Sequence, residues 1–303
     1  MVASSLARPS PAPDSPAAPA RRPVVKLTLV IAVLGLGTLP VLMYQSVVNR
    51  LYPRGSHWLP PLWHKLACAM IGVRVVVHGR PIRRGPCLFA ANHLSWLDIP
   101  VLGSRIHGSF IAKSEVNDWG VFGAMARLQR TVFVNRERRS ESRSQVVDLL
   151  ARFNRRENVI LFAEGTSTDG LRTKPFKSAL FGVAEAAARA SNARLYVQPV
   201  TLAYTRINNM PLVRAHRPRL AWIGDMDLLP HFLDVLNIGR VTAVIQFHEP
   251  IPVTADMDRK TLARRAEAAV ARGLDAANAR RVDDRRGLAR FADADDTPAG
   301  PAR

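Results

Sequence analysis

Short apolar runs alternate with helical periodicities through most of this chain, and no other feature of the sequence restricts its fold as strongly. The runs VRVVVHG (73–79), CLFAAN (87–92), SFIAK (109–113), TVFVN (131–135), NVILFAE (158–164), LYVQPVTLAY (195–204), RLAWIG (219–224) and VTAVIQFH (241–248) are rich in β-branched and aromatic residues and read as strands. Between them the pattern predicts helices over 96–105, 119–129, 141–155, 177–191 and 228–237. Strands separated by helices form an α/β domain, here expected over residues 73–253, with a mixed, largely parallel and buried sheet flanked by helices. No repeat of solenoid period competes with that reading.

The segments outside this block differ in character. Residues 1–23 are Pro, Ala and Ser with almost nothing to bury, as expected of a disordered tail. Residues 24–48, VVKLTLVIAVLGLGTLPVLMYQSVV, are apolar apart from Lys26 and a few hydroxyl and amide groups, so a retained membrane helix is expected there. Arg21, Arg22 and Lys26 before it nearly balance Arg50, Arg54 and Lys65 after it, which leaves a re-entrant or interfacial helix as the alternative to a span. Residues 49–72 hold Trp58, Leu59, Leu62, Trp63, Leu66 and Met70 beside His64 and Lys65, a composition that suits either the headgroup layer or an ordinary core-facing helix. At the other end, 254–281 reads as a basic helix capped by Thr254 with Leu262, Ala266, Ala269 and Val270 along one face, and 282–303 as a fraying tail.

Charge narrows the partners. Lys and Arg total 43 against 24 Asp and Glu, a formal net charge of +19, so anionic membranes, acidic substrates and nucleic acid are the classes to weigh. Arg127, Arg130, Arg136, Arg138 and Arg139 would form the basic patch of a nucleic-acid binder. None of the common nucleic-acid motifs accompanies them, and a long apolar run is an odd companion for that role. A non-catalytic membrane scaffold is the other alternative. The two cysteines, Cys68 and Cys87, form no CxxC pair, and with eight histidines they make no metal cluster of familiar spacing.

The chemistry-bearing residues sit at strand ends, where α/β folds keep their sites. In ANHLSWLDIP, His93 and Asp98 are five positions apart, which in one continuous helix would turn the side chains about 140° away from each other. Ser95 and Asp98 have the spacing of a helix capping box, so His93 belongs in a loop and Asp98 in the first helical turn, from which the carboxylate can reach back. Further along, TVFVNRE carries Arg136, ILFAEGTSTDG carries Glu164, Gly165 and Thr166 with a second glycine at 170, and VQPVTL places Pro199 inside an apolar strand, as expected at an edge or a bulge.

In this order and at these separations the stretches resemble the glycerolipid acyltransferase family, which acylates lysophosphatidic acid and related lysolipids. NHLSWLD matches its H-x4-D block, VFVNR its second block through Phe133 and Arg136, FAEGT its third and VQPV its fourth, across about residues 65–250. Arg130, Ala163 and Ser167 stand where the family often has glycine, proline and arginine. The resemblance implies an enzyme of the cell membrane, its catalytic domain on the cytoplasmic side, that needs no cofactor and uses acyl-coenzyme A or acyl carrier protein as cosubstrate. It implies catalytic roles for His93 and Asp98, and acceptor binding by Arg136, Glu164, Gly165 and Thr166. With serine at 167, phosphate binding is expected either to weaken or to shift to Arg172, Lys174 or Lys177. Lysophosphatidic acid is the expected acceptor, and a lyso-ornithine lipid the alternative.

The residues themselves support direct transfer. A neutral imidazole can take the proton of an acceptor hydroxyl as its oxygen attacks a thioester carbonyl, with Asp98 fixing the tautomer. The nearest approach to a G-x-S-x-G nucleophile motif is GTSTD at 165–169, whose last residue is aspartate, so a serine acyl-enzyme is disfavoured.

Overall fold

A computed structural model of the chain describes residues 22–51, 59–83, 85–134, 139–190, 194–224 and 226–285. In chain order these form α1 (Arg22–Leu51), α2 (Leu59–Ile71), β1 (Val73–His78), β2 (Cys87–Ala91), α3 (Asp98–Gly103), β3 (Ser109–Lys113), α4 (Gly120–Leu128), β4 (Val132–Val134), α5 (Arg139–Asn154) and β5 (Val159–Phe162). There follow α6 (Gly182–Ala190), β6 (Tyr196–Ile207), β7 (Met210–Pro211), α7 (Leu228–Ile238), β8 (Val241–Phe247), β9 (Ile251–Pro252) and α8 (Arg259–Asn278).

The main sheet runs in the order β1-β8-β6-β2-β5-β3-β4, with β7 and β9 paired to β6. From β6 to β4 all neighbours are parallel, and the one change of direction on this path is the antiparallel β6–β8 pair. The expected mixed, largely parallel sheet is therefore present. Its strands are mostly apolar because both faces are covered: Phe89, Val101, Ile160, Leu202 and Ile245 pack in one cluster, and Leu88, Leu161, Val197, Phe181 and Val270 in another.

Several expectations need correction. RLAWIG (219–224) is not a strand. A 3-10 turn, Arg214–Arg219, precedes it, Leu220 and Ala221 bury without a ladder, and the N–H of Trp222 is taken by the carbonyl of Leu94. Pro199 lies in the middle of the sheet, opposite Ala90. Its carbonyl accepts from His248 N, so the missing N–H faces the same side, where β6 passes from its pairing with β9 at Val197 to that with β8 at Val200. The break lies in the neighbouring strands. The predicted 177–191 helix splits into a 3-10 turn, Ser178–Phe181, and α6. Asp258, not Thr254, caps α8, its carboxylate accepting from the N–H groups of Lys260 and Thr261.

At the N-terminal end a helix does form, and it packs on α2, α4 and α7. Asn49 Nδ2 donates to Leu128 O at 2.9 Å, while Leu39, Met43, Val47 and Leu51 stay exposed. Among the described residues no helix is long and apolar enough to cross a membrane. The α2 helix takes the core-facing reading through Trp63, His64, Cys68 and Ile71, yet Leu62 and Leu66 remain exposed; Trp58 lies outside the described residues. The expected fraying from Val282 does not begin there: Asp283 O meets His78 Nε2 at 2.7 Å, and Asp284 pairs with Arg206 at 2.7 Å.

Candidate active site

Two neighbouring parallel strands deliver the site. Ala91 ends β2 beside Phe162, the end of β5, and the ladder continues one step through Ala163 N to Ala91 O at 2.9 Å. Asn92 then imitates a further strand residue with its side chain, exchanging hydrogen bonds of 2.8 Å each with the peptide of Leu202 on β6. The chain is pinned on both sides up to the residue before His93. Phe162 lies flat beneath the imidazole, ring centroids 4.0 Å apart and planes 16° from parallel.

The five-residue spacing resolves as a turn. His93 Nδ1 is 2.7 Å from Asp98 Oδ2, the imidazole 17% exposed and the carboxylate fully buried. That same oxygen accepts from the backbone N–H of Leu94 at 2.6 Å and of Ser95 at 3.0 Å, while Oδ1 accepts from the Tyr204 hydroxyl at 2.8 Å. Donors thus converge on both oxygens, the complement that an ionised carboxylate accepts. Only half of the expected capping box exists: Asp98 reaches back to Ser95 N, but the Ser95 hydroxyl is buried without a partner. With Nδ1 committed to Asp98, Nε2 is the ring nitrogen left to exchange a proton.

The loop after β5 closes over this turn. Thr168 donates from both its N–H, at 2.9 Å, and its hydroxyl, at 3.1 Å, to the carbonyl of His93. Gly165 and Gly170 have φ of 73° and 66°, the left-handed region that glycine enters without penalty, and a Cβ on Gly170 would come within 2.5 Å of Leu94. Glu164 turns inward, its Oε1 3.4 Å from His93 N and its Oε2 without a partner. Burial pushes its carboxyl up to about 8; the N–H groups of Lys174 and His93 oppose that, and the charge of Asp98 adds to it. Glu164 is therefore largely protonated at neutral pH.

The structure thus brings His93, Asp98, Glu164 and the backbone of Lys174 together, with Gly165 at the turn. Thr166 and the side chains of Arg172, Lys174 and Lys177 are exposed on the same loop, and Arg136 lies outside the described residues. Ser167, at the position where arginine was expected, donates its hydroxyl to the carbonyl of Trp222. Sequence reading missed Tyr204, Asn92, Phe162 and Thr168 as parts of the site. Asn92 and Thr168 lie within motif stretches and carried that signal, whereas Tyr204 lies in a long, mostly apolar run and looks like any core aromatic. The thiols offer no nucleophile, since both are buried and burial pushes that of Cys68 up to about 12.

Comparison with known proteins bears on the same residues. A family model described as Acyltransferase matches residues 74–203. The lyso-ornithine lipid O-acyltransferase of Brucella abortus is 42% identical over 244 residues, which span 80% of this chain and 91% of that protein. The 1-acyl-sn-glycerol-3-phosphate acyltransferase of Neisseria gonorrhoeae is 41% identical over 118 residues, 38% of this chain and 45% of that protein. The fold matches the crystal structure of a 1-acyl-sn-glycerophosphate acyltransferase from Thermotoga maritima with a TM-score of 0.59 at 19% identity, over 84% of this chain and 94% of that one. The matched region carries the His93–Asp98 turn, the Glu164 loop and Pro199 together, and the likeness runs nearly the whole length of the first relative: the chain belongs to the glycerolipid acyltransferase family and is an O-acyltransferase of lysolipids.

Proposed function

We propose that the chain moves a fatty acyl group from a thioester, acyl carrier protein or acyl-coenzyme A, onto the hydroxyl of a lyso-ornithine lipid. One observation carries the choice of acceptor. The Brucella abortus relative bearing that name matches across 80% of this chain, whereas the Neisseria gonorrhoeae relative named for 1-acyl-sn-glycerol-3-phosphate matches across 38%. Ser167 supports the same choice, because a hydroxyl spent on the Trp222 carbonyl replaces a guanidinium suited to phosphate. The carboxylate of an amino-acid headgroup demands less charge, and Arg172, Lys174 and Arg136 are the proposed cations for it.

In the proposed reaction the acceptor oxygen attacks the thioester carbonyl carbon while its proton passes to His93 Nε2. The tetrahedral intermediate collapses, the carbon–sulfur bond breaks, and the thiolate takes the proton back from the imidazolium. Asp98 stabilises that cation through Nδ1, and no acyl-enzyme forms. The enzyme works at the cytoplasmic face of the cell membrane. Leu39, Met43 and Val47 of α1, Leu62 and Leu66 of α2, and Val121 and Phe122 of α4 are exposed, and this apolar surface with a net charge of +19 suits an anionic bilayer.

Mass spectrometry of products from purified enzyme, acyl-carrier protein or acyl-coenzyme A, and a panel of lysolipids tests the assignment. Lyso-ornithine lipid should be acylated at least about tenfold faster than lysophosphatidic acid, a difference of about 1.4 kcal/mol in transition-state binding. Preference for lysophosphatidic acid would reverse the choice of acceptor and leave the acyl transfer intact.

A further inference from the structure

We propose that Tyr204 is a positioning residue for this reaction, its phenol holding Asp98 Oδ1 so that Oδ2 keeps a fixed aim and a moderated charge toward His93. The inference rests on the acyl-transfer role of the His93–Asp98 pair.

The strand lengths create the contact. β2 pairs with β6 as far as Val200, but β6 continues to Ile207, and Tyr204 rises beside the turn that carries Asp98. Its side chain is fully buried and its hydroxyl is 2.8 Å from Oδ1. Burying a phenol costs free energy that a phenylalanine of the same shape avoids, so packing alone gives no reason for the hydroxyl. The carboxylate does. His93 Nδ1, Leu94 N and Ser95 N all bond Oδ2, leaving Oδ1 without any of these local donors. Without the phenol a buried carboxylate oxygen is left bare, and the group can rotate about its Cβ–Cγ bond, so that the bond to His93 Nδ1 persists but no longer holds the ring in one orientation.

A second effect is electrostatic. A donor on Oδ1 withdraws charge from the carboxylate, so its removal makes the carboxylate grip the imidazolium more strongly. More acid-side activity is then lost, and the acidic limb of the rate profile moves to higher pH. The other groups facing this carboxylate and phenol are Glu164 from the loop after β5, with Lys174 beside it, and Cys68 from α2. Glu164, held up to about 8, and Cys68, to about 12, change charge on the alkaline side, away from the limb in question.

The test is Tyr204→Phe in the full chain, assayed in detergent with whichever lysolipid the wild type acylates fastest. The expected result is a fall in kcat of about 10- to 100-fold, as for loss of a hydrogen bond to a charged group. Both KM values should stay within about twofold, because the interaction touches neither substrate. The acidic limb should move up by roughly half a unit. In an Asp98→Asn background the same change should have little further effect, since its partner charge is already gone. Should Tyr204→Phe fail to fold, 3-fluorotyrosine incorporated at position 204 retains the hydroxyl and makes it a stronger donor, and the limb should then move to lower pH. A folded Tyr204→Phe enzyme with unchanged kcat and limb overturns the proposal, as does an unmoved limb with fluorotyrosine. If His93→Ala is equally active, the acyl-transfer role of the pair has failed instead; if His93→Ala is dead while Tyr204→Phe is unaffected, only Tyr204 has been misassigned.

Discussion

His93 and His64 stand at the two ends of one row of rings, His93 against Phe162 at 4.0 Å, Phe162 against Phe110 at 5.9 Å and Phe110 against His64 at 6.5 Å. One side chain type serves two unlike purposes there. His93 keeps 17% exposure and a carboxylate 2.7 Å from Nδ1, so a cation there has a partner, and the partly open ring suits the proton exchange proposed at Nε2. His64 is buried, its Nε2 3.0 Å from the neutral amide oxygen of Gln129 and its ring flat against Gly103, where a Cβ would come within 2.4 Å of it. Burial pushes His64 down to about 4, only partly offset by Gln129, so it stays neutral at physiological pH. The difference lies in the partner and in access, not in the imidazole.

The largest expected effect breaks the comparison from the active end. His93→Ala should lower kcat by about 10⁴-fold, the upper range for a general base, with melting nearly unchanged. His64→Gln should do the reverse, costing on the order of 1–3 kcal/mol of stability through a poorer fit while kcat per folded molecule stays within about threefold. Equal activity losses in the two variants would mean that His93 has no special role. Asp98→Asn comes next, with a loss of roughly 10³-fold, because asparagine leaves the imidazole without its orienting charge. Circular dichroism melts separate this from unfolding, since half of the donors on Asp98 are backbone N–H groups that an amide oxygen can still accept.

Smaller effects appear in stability against pH. Glu164 is held up to about 8, above its ordinary 4.5, so the folded state keeps a proton that the unfolded chain releases. Its contribution is fully present below 4.5 and is lost as pH rises through 8. His64 has the opposite sign: held at about 4 against an ordinary 6.5, it contributes above 6.5 and that contribution is lost as pH falls through 4. Urea melts across pH 4–9 should therefore show Glu164→Gln flattening the alkaline decline and His64→Gln flattening the acid one. If each variant changes the limb assigned to the other, both assignments are wrong.

Contiguous residues determined a good deal. The alternation of apolar runs and helical periods sufficed for a largely parallel α/β sheet, because strand and helix periodicities are local properties of the chain. The His93–Asp98 turn was equally legible: five residues cannot bring two side chains together in a continuous helix, and the turn chemistry between them is written in adjacent positions. The glycines at 165 and 170 stood out in their motif stretch, but their left-handed backbone came only with the structure. What only the tertiary structure decided depends on register between distant strands. Tyr204 meets Asp98 across 106 positions because β6 outruns β2, Pro199 is tolerated centrally because β9 gives way to β8 beside it, and 219–224 is no strand because Leu94 takes the N–H of Trp222. Side-chain type specifies what a residue can do, but pairing and burial specify which atom it does it to, and those are set by strand lengths and partners that no local stretch contains.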